Sequence, residues 1–323
     1  MVKAGGYGHG AIPVARAAID GGATGLAVAT LEEAHALEGV VRPQDILVMG
    51  GLTPAQAGAA ASGGWSIAVS SRELASTLGD SGGAIPVHLK IDTGMGRFGC
   101  PPEEAPGLAR FIHESAGLRL AGTWTHFASS DSDDAMTQAQ FAWFTGALDA
   151  FDVDPGMRHA CNSVGALRHP AFALDAVRCG IAVYGCEWLG TFPALALRSV
   201  VTHVKTVNPG ATVGYGATWK APETRRVATV AIGYADGVHR ARSNSGDVLV
   251  RGRRVALIGV VSMDAITIDV TDVPGVQVGD VATLIGEDGD ERITAEEVGD
   301  WSGTISYEVL TSIGPRVERR YSE

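Results

Sequence analysis

One stretch of this chain, Val2-Lys3-Ala4-Gly5-Gly6-Tyr7-Gly8-His9-Gly10, sets a lysine and a tyrosine among four glycines. A lysine amine held in such a loop can form a Schiff base with an aldehyde cofactor. Glycines let the backbone approach a phosphate or a ring closely, and a tyrosine hydroxyl can donate to a phosphate oxygen. Most lysines beside glycines do no chemistry, so this reading depends on what the rest of the chain brings to Lys3. Further groups stand in or just past apolar runs: Lys90, His126, Asn162, Ser163 and Arg178. Core packing alone does not explain them, because a buried lysine or arginine needs partners.

The elements that must position these residues come in two textures. Apolar runs at 2–4, 25–30, 45–50, 66–70, 86–92, 118–127, 157–162 and 176–183 read as strands, with helix-like stretches such as 11–20 and 31–38 between them. Thr53-Pro54 has the form of a cap followed by proline at the first helical position, and Pro101-Pro102-Glu103-Glu104 resembles another helix start. Eight strands with intervening helices predict an α/β fold of the (β/α)8 TIM-barrel type over residues 1–190. In such a barrel the strand C-terminal ends face the active site. That places Lys3, Lys90, His126, Ser163 and Arg178 around one opening. Residues 191–323 are expected to form a mostly β C-terminal domain. Valine-, isoleucine- and threonine-rich runs at 226–233, 247–250, 255–261, 266–270 and 281–286 alternate there with turns such as Asn208-Pro209-Gly210 and Asp288-Gly289-Asp290.

Composition narrows the function class. An apolar share of 46% and a charged share of 19% describe a globular chain, and 323 residues suit two domains. The net charge of −11 speaks against nucleic acid or an anionic membrane as partner. No apolar run reaches the roughly 20 residues of a membrane span. No charged-then-apolar leader is evident, so a cytoplasmic location is expected. Cys100, Cys161, Cys179 and Cys186 lack paired metal-ligand spacing, so they are expected to be reduced thiols, with no metal site.

Several segments together resemble alanine racemase, a fold-type III pyridoxal-phosphate (PLP) enzyme. They are Val2 to Gly10, His88-Leu89-Lys90-Ile91-Asp92-Thr93-Gly94-Met95-Gly96-Arg97-Phe98-Gly99, Thr125-His126-Phe127-Ala128 and Asn162-Ser163. Arg178-Cys179-Gly180-Ile181-Ala182-Val183-Tyr184-Gly185, Val213-Gly214-Tyr215-Gly216-Ala217-Thr218, Ile232-Gly233-Tyr234-Ala235-Asp236-Gly237 and Ser262-Met263-Asp264 continue the series in family order.

The resemblance implies pyridoxal 5'-phosphate as cofactor and interconversion of L- and D-alanine, supplying D-alanine for peptidoglycan. Racemisation removes the Cα proton from one face and returns one to the other, so two acid–base groups on opposite faces are needed. By resemblance these are Lys3, which also bonds the cofactor, and Tyr215. Both residue types have unperturbed pKa values near ~10, which must fall for work at neutral pH. Arg178 resembles the partner of the cofactor's ring nitrogen, and His159 a histidine that contacts that arginine. Tyr7, Ser163 and the backbone of Gly180 and Ile181 correspond to the phosphate site, His126 to a residue against the ring, and Arg97 to a donor to the ring's phenolic oxygen. Arg97, Met263, Asp264 and Tyr234 correspond to the substrate end. Lys90 matches a lysine that many members carry as a carbamate beside the arginine, with chloride or a salt bridge as the alternative. The family forms a head-to-tail homodimer in which the Tyr215, Tyr234 and Met263 segments complete the partner's site.

Four departures stand against the family pattern. A strand and helix usual ahead of the Lys3 segment are not in the sequence, which predicts a fraying Lys3 segment and an exposed sheet edge in the β domain. Gly5 and Gly6 replace Asn or Asp and alanine, Ser262 replaces a frequent cysteine, and Pro315 stands where many members have a phosphate-contacting tyrosine. Alternative readings are a racemase of broader substrate such as serine, or a truncated PLP-binding protein of little activity. A decarboxylase on the same fold fits the Tyr215 and Met263 segments less well.

Overall fold

The computed structural model describes residues 1–322. Its contacts divide into two compact units, Met1–Gly6 with Gly10–Val183, and Tyr7–His9 with Tyr184–Glu323.

In the first unit six parallel strands pair in chain order: β1 (Leu26–Val28), β2 (Ile46–Val48), β3 (Ser66–Val69), β4 (Ile85–Lys90), β5 (Leu118–Trp124) and β6 (Met157–His159). Every residue of β1 to β4 is buried, as expected of strands covered on both faces. Connecting helices lay one apolar stripe on the sheet. Arg72–Asp80 buries Leu74, Ala75 and Leu78, and Ala105–Glu114 buries Ala105, Leu108, Ala109 and Ile112, the spacing of one helical face.

Two of the eight expected strands, 2–4 and 176–183, are not strands. After Val2 the chain winds left-handed, with φ of 52°, 61° and 65° at Ala4, Gly5 and Gly6. The segment carrying Arg178 turns at Gly180 into a short helix, Ile181–Tyr184. Both segments still occupy ring positions. Val2 N donates to Ala27 O at 2.9 Å and Arg178 N to Cys161 O at 3.0 Å. Met1 N donates to Cys179 O at 2.9 Å, closing the circle between them. The barrel is therefore six strands plus two segments attached by single backbone bonds, and the Lys3 segment is held on both sides rather than frayed. The expected strands 118–127 and 157–162 also end early, at Trp124 and His159, so His126 and Ser163 lie just past strand ends.

The second unit is an antiparallel barrel. Its sheet runs β11 (Asp247–Val250), β12 (Arg253–Ile258), β13 (Ile266–Asp269), β10 (Arg225–Val230), β7 (Leu197–Val207), β14 (Val281–Asp288) and β15 (Glu291–Ile293). A further pairing of β11 with β14 closes the circle, so the exposed edge expected there is absent from the closed strands. A hairpin of β8 (Thr212–Val213) and β9 (Trp219–Lys220) leads into and out of Tyr215. Val227, Val230, Val248, Leu249, Leu257 and Ile268 fill the interior. Helices Ala295–Ser302 and Ser306–Thr311 follow, the first opened by a capping box of Thr294 and Glu297. Among the described residues no helix is long and apolar enough to cross a membrane.

Candidate active site

At the C-terminal end of the first barrel, His126 marks where the groups converge. Burial first, and then the Arg178, Arg97, Lys90 and Lys3 cations, hold its imidazole down at about 3. The ring is neutral at physiological pH, surrounded by positive charge. Such a place favours an anionic ligand and offers it a neutral aromatic plane.

Lys3 enters this place from the left-handed turn. Gly6 N donates back to Val2 O at 2.9 Å and Gly10 N to Gly5 O at 2.7 Å. Left-handed backbone costs roughly 1–2 kcal/mol at a residue with a Cβ, so Gly5 and Gly6 relieve a turn already strained at Ala4. Burial first and Arg97 second lower the Lys3 pKa, while Glu33 acts the other way. A larger share of the amine is thus neutral and nucleophilic than for a lysine in water.

Arg178 is buried, and its guanidinium is almost fully engaged. One terminal nitrogen donates to His159 Nδ1 at 2.9 Å and His159 O at 3.0 Å. The other donates to Thr125 O at 2.7 Å, Ala160 O at 2.8 Å and His126 Nδ1 at 3.2 Å. Its Nε is buried with no partner among the described residues. Burial draws the arginine down to about 9, which leaves it cationic at neutral pH. Because arginine only donates, His159 accepts at Nδ1 and, being held well below its usual pKa by burial and Arg178, carries its proton on Nε2. That proton points to His88 Nδ1 at 2.9 Å. His159 thus contacts Arg178 directly and is stacked flat on Trp124 at 5.8 Å.

Lys90 ends β4 with no exposed surface. Its Nζ donates to Phe98 O at 2.6 Å and lies 4.6 Å and 5.0 Å from the Phe98 and Trp124 ring centres. Burial pulls it down to about 8, with Asp92 opposing and Arg97 and Arg178 assisting. Arg97 sits in the loop that Asp92 shapes, where one carboxylate oxygen accepts from Gly94, Met95 and Gly96 N at 3.0, 2.9 and 3.1 Å.

Ser163 opens helix Ser163–Arg168, capped by Asn162, whose side chain accepts from Gly165 N. Its hydroxyl oxygen accepts from Gly180 N at 2.7 Å and Ala182 N at 3.3 Å, which leaves its proton to donate. Ser163, Gly180 and Ile181 are therefore gathered at one spot.

The second unit holds the remaining expected residues. Tyr7 is buried and stacked on Tyr184 at 4.6 Å, and burial raises its pKa, so its hydroxyl stays a donor. Gly8 must be glycine, since a Cβ there would lie 2.1 Å from Leu310 O. Arg319 donates to Gly8, Ile313, Gly314 and Val317 carbonyls, tying the Pro315 turn to the Tyr7–His9 segment. Tyr215, Tyr234 and Met263 are 71%, 43% and 51% exposed. Tyr234 N and Ala235 N donate to Ser262 O and Met263 O, both at 3.0 Å, so these two loops move as one piece. Arg316 bridges Asp236 at 3.1 Å and Asp264 at 2.7 Å. Asp264 is thereby a neutralised anchor of the Met263 loop.

Sequence reasoning missed Glu33 and Arg316, and gave no role to Asp92 and Tyr184, which stand within the quoted segments. Asp92 had a local signal, an Asp followed by two glycines within four residues. Glu33 had one too, the capping-box spacing Thr30-x-x-Glu33, but nothing in it points to Ala4, and Tyr184 and Arg316 act through contacts distant in sequence.

Residues 1–187 match the family description "Alanine racemase, N-terminal domain" and residues 194–321 match "Alanine racemase, C-terminal domain". The alanine racemase of Symbiobacterium thermophilum is 41% identical, covering 99% of this chain and 89% of that protein. That of Desulforamulus reducens is 40% identical, covering 99% and 90%. Among solved structures, alanine racemase from E. faecalis superposes with a TM-score of 0.92 at 36% identity, covering 98% of this chain and 88% of that one. The Bacillus anthracis alanine racemase solved with bound L-Ala-P gives 0.89 at 38% identity, covering 98% and 86%.

Proposed function

The chain belongs to the alanine racemase family, and from that premise we propose how its own side chains interconvert L-alanine and D-alanine. The activity is that of a PLP-dependent alanine racemase, which in this reading supplies D-alanine for peptidoglycan. The observation that carries the assignment of residues is the buried Arg178, which donates to His126 Nδ1 at 3.2 Å and keeps its Nε without a partner among the described residues.

The residues present fit the cofactor. Arg178 Nε is a buried donor left over after all other guanidinium hydrogens are used, which suits an acceptor ring nitrogen. Bound there, pyridoxal phosphate supplies a conjugated electron-withdrawing ring that makes the amino-acid Cα–H acidic. Arg178 would hold the ring nitrogen through Nε–H without giving up its proton. This limits electron withdrawal and favours return of the proton to Cα. By resemblance His126 would face the ring, and Arg97 would donate to the phenolic oxygen and the substrate carboxylate. Ser163, through its hydroxyl proton, and the Ile181 amide would hold the phosphate, Gly180 N orienting that hydroxyl by donating to its oxygen, and by resemblance Tyr7 would be a further donor. Lys3 removes or returns the Cα proton on one face and Tyr215 does so on the other.

Tyr215, Tyr234 and Met263, with Asp264 anchoring their loop, serve the substrate end of the partner subunit's site in a head-to-tail homodimer. Their exposure in the single chain supports this reading. Incubating the chain with added cofactor and L-alanine, with chiral chromatography as readout, should give D-alanine up to a near-equal mixture. Turnover of L-serine but not L-alanine would contradict the substrate assignment.

Lys90 is proposed to be carbamylated. Carbon dioxide adds to the neutral amine, and an amine titrating at about 8 is partly neutral under physiological conditions. The resulting anion would face Arg97 and Arg178 in place of a third cation. With 13C-bicarbonate, a carbamate resonance should appear as pH rises through about 8, fade below it, and be missing in Lys90→Ala. A spectrum unchanged by that substitution would mean Lys90 stays an ammonium on the Phe98 carbonyl.

A further inference from the structure

Glu33 lies in the first turn of helix Leu31–His35, three residues after its cap Thr30. In an ordinary capping box its carboxylate would return to the cap's own N–H. Here that contact is long, 3.4 Å from Thr30 N. The short bonds go elsewhere: Oε2 accepts from Ala29 N at 2.7 Å, and Oε1 accepts from Ala4 N at 2.6 Å, 29 residues away. One carboxylate therefore joins the end of β1 to the first peptide after Lys3.

Those contacts fall where control of Lys3 is most direct. The Ala4 peptide plane fixes ψ of Lys3 and so the direction in which its side chain leaves the backbone. Ala4 is also a left-handed residue with a Cβ, and a charge-assisted bond to its N–H works against the strain of that conformation. We propose that Glu33 is a positioning residue for the Lys3 amine, holding the left-handed turn in place and setting a carboxylate charge beside it. The titratable groups acting on Lys3 are Glu33 and Arg97, with His126 neutral and the Met1 nitrogen nearby. Glu33 and Arg97 oppose each other, so removing the carboxylate leaves Arg97 and burial unbalanced.

The proposal rests on Lys3 being the cofactor lysine, and its test separates the two. Acetic anhydride labelling of the cofactor-free protein, read at the Lys3 peptide by mass spectrometry across pH, reports the ionisation of that amine. Glu33→Gln keeps an oxygen acceptor and removes the charge. It should move the Lys3 labelling midpoint down by about half a pH unit. Hydrogen exchange at the Ala4 amide should quicken about tenfold in Glu33→Ala and less in Glu33→Gln, a graded rescue that loss of a helix cap alone would not give at Ala4. An unchanged labelling midpoint in Glu33→Gln, or Ala4 exchange equal to wild type in Glu33→Ala, overturns the role of Glu33. If borohydride fixes the cofactor on a lysine other than Lys3, it is the reading of Lys3 that fails.

Discussion

Replacing Lys3 with alanine should abolish racemisation, with kcat/KM down by ~10⁴ or more. The size follows from two functions in one side chain. The amine is the covalent anchor of the cofactor and also the acid–base group on one face, and no neighbour can substitute. Lys90 is fully buried and directed to the Phe98 carbonyl. The fold should tolerate the change, because Lys3 is only partly buried and the turn is held through backbone bonds at Gly6, Gly10 and Ala4. Thermal unfolding of Lys3→Ala within a few degrees of wild type, with activity gone and no cofactor fixed by borohydride, is the expected pattern. Activity within tenfold of wild type would remove Lys3 from the mechanism.

Tyr215→Phe should be nearly as damaging, reducing racemisation in both directions by roughly 10²–10⁴. The phenol is lost and its ring retained, so a packing role predicts little change. The side chain sits on the tight turn Tyr215–Ala217 and is 71% exposed in the single chain, so its deletion strips no core contact. Cofactor binding, placed in the first barrel, should persist in this variant as it does not in Lys3→Ala. That contrast separates the anchoring lysine from the second acid–base group. Equal turnover by Tyr215→Phe and wild type would exclude the tyrosine as a proton carrier.

Much of the architecture was legible because local pattern and fold agreed. The run Ser66–Val69 is continuously apolar with turn signals on both sides, and helix Ala11–Asp20 begins and ends at glycines. Legibility failed where the backbone serves the site. Residues 2–4 look like the start of a strand, yet the next three adopt left-handed φ, and no count of apolar residues reveals that. The segment around Arg178 is apolar enough for a strand, but it keeps only one backbone bond on each side, to Cys161 O and from Met1 N, while its guanidinium reaches five acceptors. The longest strand, β7, went unread for another reason. Its sequence Leu-Arg-Ser-Val-Val-Thr-His-Val-Lys-Thr-Val buries fully only Leu197, Val201 and Val207, too sparse for strict alternation. The site residues were found through motifs that resemble a family. Glu33, whose partner is 29 residues away, belongs to no such motif.

The central claim is that two different side chains handle the proton on opposite faces of Cα. Its most direct test is exchange of the Cα hydrogen in D2O, followed separately from L-alanine and D-alanine in the Tyr215→Phe variant. With Tyr215 disabled, the enantiomer whose Cα–H faces Lys3 should take up solvent deuterium with retention of configuration. The other enantiomer should exchange on the order of a hundredfold more slowly. Equal exchange from both enantiomers, accompanied by undiminished racemisation, would mean that a single group serves both faces and would contradict the account.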